Sequence, residues 1–304
     1  MSWVRNPLAA PIPPIRTSTT IVTSAPLSKV HRVSKSLPPV TPAAPKESSK
    51  STSPDRLFVG TSGWAYPTWK PDFYPVTVSA KKFLEFYASQ LNSVEVNYTF
   101  RNLPTAKMLE GWLDATPEHF RFSFKAPQRI THFKRLRECE ADVAQFIEAL
   151  APAREANRLG LLLFQLPPNF KADATHLGDF LNISALNTAT TPPIAFEFRH
   201  ESFFTDDIYN ILRRHNAALC IAESDDLTTP EVHTAQTHTC FRLRRNGGYS
   251  GEQISAFAQR FNLLSEQRDT YIYFKHEDEP TGALNAASLL RQSESLNQPK
   301  AVNP

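Results

Sequence analysis

Eight short runs rich in β-branched and aromatic residues recur between Leu57 and Lys275, most of them followed by a longer amphipathic stretch. That repetition constrains the fold more than any other feature, because strands alternating with helical segments form parallel sheets covered by helices. The strand candidates are Leu57–Ser62, Ser93–Thr99, Phe120–Ala126, Gly160–Leu166, Ile194–Arg199, Leu219–Glu223, Thr239–Arg244 and Thr270–Lys275. Helix candidates between them include Ala80–Gln90, Ala106–Leu113, Ala141–Asn157, Asp206–His215, Gly251–Leu264 and Gly282–Arg291. The gap from Ser224 to His238 reads as loop, since Pro230 interrupts it and no apolar stripe runs through it, so one crossover is degenerate. The reading is α/β: a single parallel eight-stranded (β/α)8 TIM-type barrel over residues 56–295. With 304 residues and 41% hydrophobic content, two smaller domains are the competing arrangement.

Alternation within the strands separates two faces. Val94, Val96 and Tyr98 oppose Glu95, Asn97 and Thr99; Phe120, Phe122 and Phe124 oppose Arg121, Ser123 and Lys125; Phe196 and Phe198 oppose Glu197 and Arg199. Helices must cover one face, so the aromatic set packs beneath them and the polar set lines the barrel interior and its mouth.

The first 55 residues have a different texture. They are crowded with Pro, Ser and Thr and lack any period long enough to bury apolar area against the entropy of ordering, which predicts a disordered tail. Prolines 7, 11, 13 and 14 break the only stretch that could serve as a signal-peptide core, and they also oppose the amphipathic helix of a transit peptide. A solvated tail or an over-extended gene start is the simpler reading. Residues 296–304 are expected to be a second disordered end.

The tail also explains the basic balance. Residues 1–56 hold eight Lys/Arg against Glu47 and Asp55, a net of +6, whereas the whole chain carries +3, leaving −3 on residues 57–304. Nucleic-acid contact would therefore fall to the tail or to a local patch. No apolar run approaches the roughly 20 residues of a membrane span. The three cysteines, Cys139, Cys220 and Cys240, form no C-x-x-C pair, which suits a reducing cytoplasm.

Several ordered motifs converge on one family. Gly60-Thr61-Ser62-Gly63-Trp64 with Tyr66, Trp69 and Phe73-Tyr74-Pro75, then Val94-Glu95-Val96-Asn97-Tyr98-Thr99-Phe100, Phe124-Lys125-Ala126-Pro127 with Ile130-Thr131-His132, Leu163-Phe164-Gln165-Leu166-Pro167-Pro168, and Phe196-Glu197-Phe198-Arg199-His200 together resemble the signature of the YecE-like family, domain of unknown function 72. The resemblance runs from about Leu57 to the region of Ala283 and implies a TIM-type barrel without an established activity. The sequence departs from that pattern at Lys70-Pro71, where the family has a glycine, and at Arg244-Arg245-Asn246, where a His-Gly pair is common.

Barrel chemistry gathers at the carboxyl ends of the strands. Polar residues there are Glu95 and Asn97 on the second strand, Lys125 and His132 on and after the third, and Gln165 on the fourth. The fifth brings Glu197, Arg199 and His200; the sixth to eighth bring Glu223, Arg242 and Lys275. The expected catalytic group is Glu197 or Glu95 as general base, its pKa adjusted by Lys125 or Arg199, with His132 as proton shuttle. Arg199, His200, Asn97, Gln165, Arg242, Lys275 and Glu223 are expected to bind substrate. The same charges could instead be ion pairs that only satisfy one another. Trp64 and Tyr66 could stack a ring or pack as a plug over the barrel.

Cations outnumber carboxylates at the strand ends, which suits a phosphorylated or carboxylated small molecule better than a neutral sugar. No cofactor is expected. A divalent metal held by Glu95, Glu197, Glu223, His200 and His276 is the runner-up, although no H-E-x-x-H or H-x-x-E-H spacing occurs. No G-x-S-x-G elbow appears, and Gly247-Gly248 lacks the Lys-Ser/Thr context of a phosphate loop. Two function classes remain: an enzyme using acid/base chemistry on a small anion, with a metal-dependent hydrolase as its variant, and a non-catalytic or nucleic-acid-associated binding protein. The sequence assigns no oligomeric state.

Overall fold

A computed structural model describes residues 56–223, 227–275 and 279–297. The tail read over residues 1–55 lies outside them. Of the C-terminal end read over 296–304, Leu296 and Asn297 are helical and the rest lies outside the described residues.

Eight parallel strands form one sheet: β1 (Leu57–Thr61), β2 (Ser93–Val96), β3 (Arg121–Lys125), β4 (Leu159–Gln165), β5 (Ile194–Glu197), β6 (Ala218–Glu223), β7 (His238–Leu243) and β8 (Asp269–Phe274). Their order is β1-β8-β7-β6-β5-β4-β3-β2, so neighbours in sequence are neighbours in space and the sheet curls into the expected barrel. Around it run α1 (Phe83–Gln90), α2 (Ala106–Asp114), α3 (Glu140–Ala149), α4 (Ala151–Glu155), α5 (Ala174–Leu181), α6 (Asp206–Arg214), α7 (Gly251–Ser265) and α8 (Thr281–Asn297). No described helix is long and apolar enough to cross a membrane.

The two strand phases separate as the alternation requires. Val94, Phe122, Phe124, Phe164 and Phe196 belong to the apolar layer between barrel and helices. Leu161, Leu163, Ala195, Cys220, Cys240, Tyr271 and Tyr273 form a second cluster inside the barrel. The inner cluster fills the barrel below the strand ends, so it is a packed core with chemistry confined to its upper rim.

β1 and β2 share no strand ladder; side chains close that seam. Asn92 accepts from the Val59 amide at 2.8 Å and donates to the Leu57 carbonyl at 2.8 Å. The Tyr87 hydroxyl accepts from the Thr61 amide at 2.8 Å and donates to the Ser93 carbonyl at 3.1 Å. These bonds satisfy backbone groups that a ladder would otherwise pair. The approach is so close that a Cβ on Gly60 would stand 2.0 Å from the Ser93 carbonyl oxygen.

Three local expectations change. The helix expected over Ala141–Asn157 breaks at Leu150, because Pro152 has no N–H to donate and its ring collides with the carbonyl one turn back; it sits instead in the first turn of α4. The second strand ends at Val96, and Tyr98–Phe100 forms a 3-10 turn that the Thr99 hydroxyl pins to the Lys125 carbonyl at 2.7 Å. The crossover between β6 and β7 contains no helix among its described residues, 227–237. Elsewhere ordinary end signals hold, as in α7, where Ser250 and Gln253 form a capping box.

The seam makes a stability test. Gly60→Ala is expected to cost about 2–3 kcal/mol in urea unfolding, since the new methyl meets backbone that cannot swing aside. Asn92→Ala, which strands Val59 N–H and Leu57 C=O, should cost about 1–3 kcal/mol.

Candidate functional site at the barrel mouth

Arg242, inward on β7 and only 1% exposed, is the centre of the rim. A guanidinium there has no water to solvate it and must be paired. It donates to Glu95 Oε1 on β2 at 2.7 Å, to Glu197 Oε2 on β5 and to Ser62 Oγ just beyond β1 at 3.2 Å. Both carboxylates are fully buried. Glu197 Oε1 also accepts from Arg199 Nε and from Gln165 Nε2 at 3.0 Å. Burial alone would raise the Glu197 carboxyl, but Arg242, Arg199 and Arg244 outweigh it and hold it at about 2. Glu197 is thus a carboxylate at all but strongly acid pH, and a weak base. Burial would push Arg242 down; the two glutamates reverse this and raise it.

Two further cations reach the rim without a carboxylate of their own among the described residues. Lys125 ends β3 half-buried, its Nζ 4.2 Å above the Phe100 ring, and makes no hydrogen bond or ion pair with the described residues. Burial first, and then Arg242, lower its pKa to about 8. Arg244 follows β7 in the same inward phase as Cys240 and Arg242; its side chain has no hydrogen-bonded or ion-paired partner among the described residues, and burial with Arg242 lowers it to about 10. Buried acceptors stand opposite: Glu95 Oε2 and Asn97 Oδ1 lack partners, as does the donor Arg242 Nε.

Beyond this group, the sequence-predicted residues divide. His132 lies in a π-turn after β3, bonded through Nδ1 to Thr131 Oγ1 at 2.8 Å and edge-on to Phe100; burial and Lys125 lower its pKa. Tyr66 covers Gly63, whose φ of +100° suits glycine, and donates to the Ser62 carbonyl at 3.0 Å. Burial and Glu95 push its phenol up to about 12. Trp64 packs edge-on to Trp112.

His200 instead caps the turn Glu201–Phe203, accepting from the Ser202 amide. Glu223 lies on the outward phase of β6, where it binds Arg245 and the Tyr249 hydroxyl. Lys275 donates to Asn246 at 2.6 Å. Sequence reasoning passed over Ser62 and Arg244. The inward alternation Cys240, Arg242, Arg244 carries the signal for the second.

The residues fit a metal poorly. Arg242 already bridges the two carboxylates that a cation would need, and among the described residues no group of three or more His, Cys, Asp or Glu could hold one. His276 lies outside the described residues. A groove of about 520 Å³ runs between Leu136–Glu140 and residues 173–183 of the α5 flank, and none of the rim residues lines it.

Two measurements test this electrostatic core. Arg242→Leu, which leaves two buried carboxylates facing each other, is expected to cost about 3–5 kcal/mol in denaturant unfolding. Because the Glu197 pKa falls from 4.5 to about 2 on folding, the unfolded chain binds more protons between those values. That contribution is complete above pH 4.5 and is lost as pH falls toward 2, so the acid limb of a Tm-against-pH curve should be shallower in Glu197→Gln.

Comparisons agree with this barrel. A segment of YecE from Escherichia coli strain K12, a UPF0759 protein, is 34% identical over 114 residues, covering 38% of this chain and 39% of that protein. YunF of Bacillus subtilis, named in the same way, is 29% identical over 157 residues, 50% of this chain and 54% of that one. The chain thus matches between about two-fifths and about half the length of these relatives. A DUF72 family protein of Thermotoga maritima superposes with a TM-score of 0.67 at 26% identity, covering 80% of this chain and 99% of that one. One from Enterococcus faecalis, at 19% identity and a TM-score of 0.61 over 80% and 98%, shares the fold. The family model described as "Protein of unknown function DUF72" matches residues 58–304, and the chain belongs to that family.

Proposed function

We propose that the barrel mouth binds a small phosphorylated or carboxylated molecule and acts on it by acid/base chemistry, with Lys125 as the group that moves the proton. One observation carries the reading: Arg242 and Arg199 engage the two buried carboxylates, while Lys125 and Arg244 reach the same rim with no carboxylate partner among the described residues. Partly buried cations in that condition favour an incoming anion, which restores the charge balance that burial disturbs. Arg244 and the remaining N–H groups of Arg199 supply the planar donors that phosphate and carboxylate oxygens accept.

The acid/base role passes from Glu197 to Lys125 on energetic grounds. A carboxylate held at about 2 is far too weak a base at neutral pH, whereas an amine near 8 exchanges protons readily there. Glu197 acts as a fixed negative charge that holds Arg199 and Arg242. His132, mostly neutral at pH 7 because burial and Lys125 lower it, stands by as a relay. The nucleic-acid alternative rests on the tail, outside the described residues, and the metal variant meets Arg242 where its ion would sit.

Sulfate is a suitable probe because it stays fully ionised across the range tested. In differential scanning fluorimetry it should raise the Tm, and Arg244→Ala should weaken it about tenfold or more. Lys125 is charged below pH 8, so sulfate affinity should fall as pH rises through 8, and Lys125→Met should flatten that dependence. Equal sulfate stabilisation in the wild type and both variants would overturn the proposal.

A further inference from the structure

Among the described residues, the mouth holds unpaired acceptors as well as unpaired cations. Glu95, fully buried on β2, gives Oε1 to Arg242 and leaves Oε2 with no donor. Asn97, two residues on at the start of the turn after β2, has a buried Oδ1 that also lacks one among the described residues. A buried carboxylate oxygen without a donor costs free energy that a hydrogen bond would recover. The nearby cations do not supply it: Lys125 feels the Glu95 charge yet makes no hydrogen bond to any described residue, and Arg242 reaches Glu95 only at Oε1.

We infer that the ligand of this mouth carries hydroxyl groups beside its anionic group, a hydroxylated phosphate or carboxylate of the polyol type, one hydroxyl donating to Glu95 Oε2 and another to Asn97 Oδ1. The inference rests on the anionic reading of the site. An ammonium donor fits less well, because it would enter a rim where Lys125, Arg199, Arg242 and Arg244 already outnumber two carboxylates. A hydroxyl brings no charge, and its oxygen can accept from one of those cations while its hydrogen goes to the carboxylate. The division of labour is then spatial. The end of β3 and the residue after β7 hold the anion through Lys125 and Arg244, while β2 and the turn after it read the hydroxyls through Glu95 and Asn97.

Isothermal titration of the full chain with three probes tests this: glycerol 3-phosphate, n-propyl phosphate, which lacks the hydroxyls, and inorganic phosphate. Glycerol 3-phosphate is expected to bind about tenfold or more tightly than propyl phosphate. That preference, read as the ratio of the two affinities within each variant, should shrink toward one in Asn97→Ala and in Glu95→Gln. Asn97, half-buried at a turn, tolerates truncation and keeps the test open if the buried Glu95 variant fails to fold. Equal binding of the two organic phosphates by the wild type would overturn the inference and leave the anion site standing. A preference that persists in Asn97→Ala and any folded Glu95→Gln would overturn it as well. If none of the three phosphates binds, both this inference and the anionic reading fall.

Discussion

A guanidinium buried in the barrel, Arg242, is the constraint to which the rest of the rim answers. Removed from water, it needs opposite charge at hydrogen-bond range, and it takes one carboxylate from β2 and another from β5. Two carboxylates over-neutralise one cation, and Arg199 enters beside Glu197. Ser62 accepts a further N–H, so β1, β2, β5 and β7 meet at one side chain. The barrel is thereby fastened from within at the height where its chemistry would occur. Lys125 and Arg244 then approach a centre whose carboxylates are already engaged.

That ordering changes how the carboxylates are understood. A buried glutamate at a strand end invites the role of general base, and burial by itself would raise its pKa toward that role. The neighbours decide otherwise: three guanidinium groups hold Glu197 near 2. The group whose pKa approaches neutrality is Lys125, because burial and Arg242 act on it in the same direction and the glutamates only partly oppose them. Fixed charges below and a titrating amine above make a coherent arrangement for anion chemistry.

The barrel is readable from strand alternation where the two phases differ in character, as on β2, β3 and β5, whereas β4 is apolar on both, with Leu161 and Leu163 inside and Leu162 and Phe164 beneath the helices. Phe122 and Phe124 under the helices against Ser123 and Lys125 inside is the pattern in its plainest form. The site was readable to the extent that strand phase was respected. Glu95, Gln165, Glu197 and Arg242 are inward and meet; Glu223 is one residue out of phase and turns toward Arg245 and Tyr249. His200 was placed by its motif, yet its ring nitrogen caps a turn, a local competition that residue type alone does not reveal. Arg244 obeyed the phase rule and was missed because departure from a family pattern was weighed above geometry. The ends of helices and strands failed where one residue overruled a period, as Pro152 does in splitting α3 from α4.

The central claim is that the rim holds cationic charge awaiting an anion, and a crystal soaked in selenate tests it most directly, because selenium scatters anomalously and marks its own position. The account predicts an anomalous peak within hydrogen-bond distance of Arg244 and Lys125. Selenate bound only on the outer surface, with those two side chains free of it at the barrel mouth, would contradict the account.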